Sequence, residues 1–124
     1  GDERVDLLRL AAERGLPAFG CALSPTEIRH TWALRPDAVV VHPAEVLGTL
    51  YVPHAVAAAP GAPLVAGGVN SYVAQQWLAK GAFAALTDDA FVGDSLADGN
   101  LAWVRDRARS FASEGRAAPA WPTR

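Results

Sequence analysis

Apolar residues recur at helical spacing at Val5, Leu7, Leu8, Leu10 and Ala11, with Arg14 in the last turn and Gly15 placed as a left-handed cap, which predicts a first helix over residues 3–14. Residues 17–23 form a short apolar run and predict a strand. Ser24-Pro25-Thr26-Glu27 then supplies a capping serine, a proline at the first helical position and a glutamate at the third, so a helix follows over 26–34. Arg35-Pro36 stops it, because a residue before proline is pushed out of the helical region. Residues 38–42 predict the second strand, 45–59 an irregular helix broken by Gly48 and Pro53, and 62–66 the third strand. Gly67-Gly68-Val69-Asn70-Ser71 turns into a helix over 71–80, with Val73, Trp77 and Leu78 on one face and Gly81 as its cap. A fourth strand over 82–86, a short helical stretch from Thr87, a break at Asp98-Gly99-Asn100, and a last helix over 101–113 complete the pattern. The segment 114–124 reads as a loose tail.

The order is a helix followed by four βα units, with connections short enough that right-handed crossovers make all four strands parallel. Each strand is apolar on both faces, as strands covered on both sides are. The fold class is α/β, and two architectures satisfy it: half of an eight-stranded TIM (βα)8 barrel over residues 1–113, or a small open doubly wound parallel sheet. Four strands cut from a barrel leave two open edges, so the first and fourth strands are expected to contact further protein, either a missing half barrel or another copy of the chain.

With 124 residues the chain has room for one domain. Its net charge is −2 and its basic residues are scattered, which argues against a nucleic-acid partner. No apolar run approaches the roughly 18 residues of a membrane span. Cys21 is the sole cysteine, so no internal disulfide forms. A soluble, cytoplasmic protein is the expectation, with Cys21 as a small core residue.

Chemistry belongs where parallel strands hand over to helices. His42 ends the second strand, two positions after Val40 and therefore on the same side of it, and is a candidate acid or base. The plainer reading is a histidine bonded to a neighbouring loop. Gly67 and Gly68 precede a helix and are candidates to cradle an oxyanion, or else form a tight turn. Asp88 and Asp89 are candidate catalytic or cation-holding carboxylates, against the alternative of helix capping. Ser24 and Thr87 are candidate substrate contacts, Ser24 doubling as a capping residue. His30 and His54 read as surface, and Trp32, Trp77 and Trp103 as packing between helices and sheet, while Trp121 is placed to anchor the tail to a neighbour. No set of residues has metal-ligand spacing, and neither a metal nor another cofactor is expected.

Gly15-Leu16-Pro17, Leu23-Ser24-Pro25-Thr26-Glu27, Val40-Val41-His42-Pro43-Ala44-Glu45 and Gly67-Gly68-Val69-Asn70 occur in an order and spacing that resembles the C-terminal half of the bacterial 2-keto-3-deoxy-6-phosphogluconate and 4-hydroxy-2-oxoglutarate (KDPG/KHG) aldolases. The resemblance implies a (βα)8 barrel, usually trimeric, and reversible carbon–carbon cleavage that yields pyruvate through a lysine Schiff base. It also exposes departures. The Schiff-base lysine falls on Val40. The single lysine, Lys80, is expected at the end of a helix, away from the chemistry. The Thr-Gly-Gly turn becomes Ala66-Gly67-Gly68, and the Gly-Gly-Ser phosphate loop falls on Thr87-Asp88-Asp89, where carboxylates repel phosphate.

The resemblance therefore implies an aldolase-like protein acting on a small oxo-acid or related intermediate by lyase-type chemistry, degenerate or repurposed because its lysine is gone. A non-catalytic binding or scaffold subunit that kept the barrel is the alternative from another class. A third possibility is an ordinary aldolase cut short, with its lysine upstream.

Overall fold

The computed structural model describes residues 3–88, 97–116 and 118–121. In chain order the elements are α1 (Glu3–Glu13), β1 (Phe19–Ala22), α2 (Pro25–Ala33), β2 (Ala38–Val41), two short 3-10 turns (Ala44–Leu47 and Thr49–Tyr51), α3 (Val52–Ala58), β3 (Leu64–Gly67), α4 (Ser71–Ala79), β4 (Ala84–Leu86) and α5 (Leu101–Arg116). α2 starts where its sequence demands. The Ser24 hydroxyl accepts from the Glu27 N–H at 3.2 Å, and the Glu27 carboxylate accepts from the Ser24 N–H at 2.7 Å and from the Leu23 N–H at 3.1 Å. Asn70 caps α4 in the same manner, its side-chain oxygen accepting from the Val73 N–H at 2.9 Å.

All four strands are parallel and lie in the order β1-β2-β3-β4, in register Cys21–Val40, Val40–Val65 and Val65–Ala84. The sequential order decides between the two architectures. A doubly wound sheet reverses its strand order and carries helices on both faces, whereas here Ile28 of α2, Val52 and Ala55 of α3, and Ala74, Trp77 and Leu78 of α4 join Val39, Val41, Leu64 and Ala66 in one core on one face. This is the singly wound arrangement of a barrel segment, and the open doubly wound sheet is set aside.

Strand alternation sends Ala38, Val40 and Val65, with Ala84 beside them, to the opposite, helix-free face. Val40 is 5% exposed there, inward-facing in barrel terms, as its strand position predicts. Gly20 faces the helices, where a Cβ would stand 2.3 Å from the Thr31 methyl, so β1 and α2 meet at a distance that only glycine permits.

Several expectations change. Cys21 is exposed and not a core residue: it shares the helix-free face with Phe19, on a strand that pairs on one side only among the described residues. Trp77 is buried, as read, but Trp103 is 53% exposed and holds the Arg107 guanidinium 4.6 Å above its ring. The last helix runs three residues further than its pattern suggests, to Arg116. Trp121, expected to engage a neighbour, makes its ring contacts within its own chain, stacking on Phe19 (ring centroids 6.2 Å apart) and meeting Phe83 edge-on (6.1 Å). Thr87 and Asp88 are not helical, and the remainder of the short stretch expected after Thr87, including Asp89, lies outside the described residues. Among the described residues, no helix is long and apolar enough to cross a membrane.

Candidate functional site

Parallel strands sit about 4.8 Å apart, so side chains on β2 and β4, with β3 between them, ordinarily cannot touch. Here they do. His42, at the C-terminal end of β2, brings Nε2 to 3.6 Å from Oδ2 of Asp88, which lies just past β4. The intervening strand makes this possible by ending in two glycines. A Cβ on Gly67 would stand 2.8 Å from a Val40 methyl and 3.0 Å from His42 Cδ2; one on Gly68 would stand 2.9 Å from His42 Nε2 and 3.4 Å from Asp88 Oδ2. Gly68 also takes a left-handed φ of 68°, which glycine adopts without strain. The imidazole thus lies across a gap in the side-chain layer and reaches the far carboxylate.

The backbone fixes both ends of this bridge. The His42 N–H donates to the Ala22 carbonyl at 3.1 Å, tying the end of β2 to β1. The Gly68 and Val69 N–H groups both donate to the Leu86 carbonyl, at 2.9 and 3.4 Å, tying the turn to β4. Those two donors are therefore engaged within the fold, and the role the geometry gives Gly67 and Gly68 is to make room for His42. At 3.6 Å the His42–Asp88 contact is longer than a hydrogen bond, and it becomes an ion pair when the imidazole is protonated. Both side chains are about half exposed, His42 at 48% and Asp88 at 56%, so the pair is open to a small molecule.

A second polar link borders the pair. Asn70 Nδ2 donates to Glu45 Oε1 at 2.9 Å, joining the loop after β2 to the cap of α4. Sequence reasoning gave neither residue this part; the only signal was an asparagine directly before a helix start. The Tyr51 hydroxyl donates to the Leu23 carbonyl, just past the C-terminal end of β1. Burial and the Glu27 carboxylate both push the Tyr51 phenol above its ordinary value, so it stays a neutral donor.

The other candidates separate from this centre. Ser24 serves as the cap of α2. Thr87 follows Leu86 and precedes Asp88, and alternation turns it to the helix side, where it lines a cavity of about 280 Å3 with Phe83, Phe111 and Ala118. Its Oγ1 is buried there and lacks a hydrogen-bond partner among the described residues. Lys80 closes α4 and donates from Nζ to the Thr49 carbonyl at 3.2 Å, on the helix side of the sheet. His30 and His54 are exposed on α2 and α3, as read from sequence. Asp89 lies outside the described residues. Among the described residues, no group of three or more His, Cys, Asp or Glu side chains is placed to hold a metal ion.

No family model and no curated protein matches the chain. Solved structures do. A native KDPGal structure is 20% identical and superposes with a TM-score of 0.73, covering 90% of this chain and 54% of its own. A cube-shaped, highly porous protein cage, designed by fusing symmetric oligomeric domains, gives the same identity and TM-score over 41% of its chain. Nitroalkane oxidase from Streptomyces ansochromogenes is 22% identical, with a TM-score of 0.60 over 71% of this chain and 31% of its own. The chain thus spans about half the length of the KDPGal structure it matches, and the shared feature is the fold: a parallel four-stranded α/β unit matching part of an aldolase-type barrel.

Proposed function

We propose that this chain is part of an aldolase-like barrel protein that acts on a small oxo-acid or related intermediate, with His42 as acid–base group, Asp88 as its electrostatic partner, and no lysine Schiff base from this segment. One observation carries the reading: His42 and Asp88 meet across Gly67 and Gly68 at the C-terminal strand ends, on the same face as Val40. The fold shared with a KDPGal structure supports the aldolase-like barrel, and the substrate class is what the motif resemblance implies. In the resembling family the nucleophile stands where Val40 stands, and valine offers no electron pair. The step left to these residues is proton transfer beside a carbonyl. His42 Nε2 takes the proton, the C–H bond breaks, and its electrons move onto the carbonyl oxygen as an enolate. Asp88 stabilises the imidazolium so formed. Without the covalent electron sink the rate falls by orders of magnitude from that of a lysine enzyme, which is what a degenerate or repurposed lyase means in energetic terms.

Borohydride reduction in the presence of pyruvate tests the absence of a Schiff base: mass spectrometry is expected to find no adduct on this chain, and a stable adduct overturns the proposal. Exchange of pyruvate methyl protons with deuterated solvent tests the positive claim. It is expected to fall at least tenfold in His42→Ala, whereas exchange unchanged by the substitution, or none in the unmodified protein, removes His42 from its role.

A second reading, a binding or scaffold subunit that retains the barrel, is favoured by the valine at position 40 and by the modest His42–Asp88 contact. It predicts ligand binding without turnover.

A further inference from the structure

α5 covers itself along one stripe at helical spacing: Val104, Arg107, Phe111 and Glu114, continued by Ala118 just past its end, are half-buried while every other residue of the helix is exposed. The helix rests on α4, and Ser71 and Ser110 join the two by a hydroxyl contact of 2.9 Å. Between α5, α4 and β4 lies the cavity of about 280 Å3, because Ala74, Gly115 and Ala118 present little side chain to a space that Leu78, Phe83 and Phe111 also line. Two polar groups share this apolar space. The Thr87 Oγ1 is buried and has no hydrogen-bond partner among the described residues. Glu114 stands where the stripe calls for an apolar residue, and it pairs with no cation among the described residues. Arg107, the other charge of the stripe, lies two helical turns away, about 10 Å along the axis, and stacks on Trp103.

We propose that this cavity is a binding site for a small primary amine on an apolar body, its ammonium held by Glu114 and Thr87 and its body lying against Leu78, Phe83 and Phe111. Charge and hydrogen-bond capacity select the ligand. A carboxylate only accepts hydrogen bonds and a threonine hydroxyl accepts as well as donates, so a group with several donors and a positive charge satisfies both. An ammonium has three donors and no acceptor, and it keeps its proton at neutral pH as the lysine amine does. A carboxylic acid of the same shape is excluded, because two anions would meet in a space poorly screened by water. Size sets the body. A dry cavity of about 150 Å3 takes one benzene, so 280 Å3 admits a single ring with a short aminoalkyl arm. The site lies on the helix side of the sheet and does not depend on any role of His42 or Asp88.

Calorimetric titration of the natural protein, purified with whatever polypeptide it carries, with 2-phenylethylamine, 2-phenylethanol and phenylacetate tests the proposal. The amine is expected to bind with a dissociation constant of about 1 mM or tighter, the alcohol at least tenfold more weakly and phenylacetate not at all. Glu114→Gln keeps the shape and removes the charge, so it should weaken the amine at least tenfold and the alcohol less than twofold. Thr87→Val should weaken the amine at least threefold while the thermal midpoint of the unliganded protein holds or rises, because a buried hydroxyl without a partner has been removed. That combination separates a lost ligand contact from a damaged fold. Ala118→Leu, which places a larger side chain on the cavity wall, should abolish binding of amine and alcohol alike. An absence of saturable amine binding overturns the proposal. Equal binding of amine and alcohol overturns the assignment of the ligand class, and amine binding undiminished in Glu114→Gln overturns the assignment of the site.

Discussion

Gly68 carries two constraints at once, a φ of 68° and a close approach to His42, and either alone makes a side chain costly. Gly68→Ala is expected to lose about 1–2 kcal/mol from left-handed strain alone, read as a lower midpoint in urea. It should also displace the imidazole, so that the His42–Asp88 contact opens while β3 itself persists. Thr31 presents the opposite situation. Its Oγ1 is buried without a hydrogen-bond partner among the described residues, and its methyl is pressed against Gly20. Thr31→Val keeps the shape and removes the unsatisfied oxygen, and a gain of about 1 kcal/mol in thermal or urea unfolding is expected. Neither relation is visible along the chain. The sequence shows that Gly67, Gly68, His42 and Asp88 are placed at strand ends, but their meeting depends on a glycine gap between strands that are not neighbours.

The elements themselves were largely legible, because their ends are written in local chemistry. Ser24-Pro25-Thr26-Glu27 predicts the start of α2, and the structure has both arms of that capping box. The faces of the strands were harder to read. β1 is apolar on both sides, and only the position of α2 decides that Gly20 and Ala22 face the helices while Cys21 faces the helix-free side; a periodicity of two cannot supply that choice. The capping box also has a pH signature. Hydrogen bonds from the Ser24 backbone and hydroxyl and from the Leu23 backbone hold the Glu27 carboxyl below its usual value of 4.5. A folded pKa lowered in this way contributes stability above 4.5 and loses it as pH falls through the lowered value. Urea midpoints of the unmodified protein should therefore fall as pH drops below 4.5. Glu27→Gln keeps a capping partner but cannot titrate, so this part of the fall should disappear. α1 has no buried side chain, whereas α4 buries Ala74, Trp77 and Leu78, so the amides of α1 should exchange well before those of α4 in the chain as described.

At the scale of the whole molecule, helices on one face and sequential strand order make this a segment of a barrel, and the edges carry the largest unmet demand. Trp121 joins the two ends of the sheet, since Phe19 opens β1 and Phe83 precedes β4. Each aromatic pair contributes roughly 0.5–1.5 kcal/mol beyond its buried area, so Trp121→Ala should cost about 1–3 kcal/mol in urea denaturation. The sequence reading assigned this tryptophan to a neighbouring molecule, because nothing local reveals that a residue so late in the chain folds back onto Phe19, about a hundred positions earlier. The clasp has a practical bearing on how the protein is handled. A label or substitution placed at Trp121 would disturb both outer strands at once, so spectroscopic probes are better introduced at other positions.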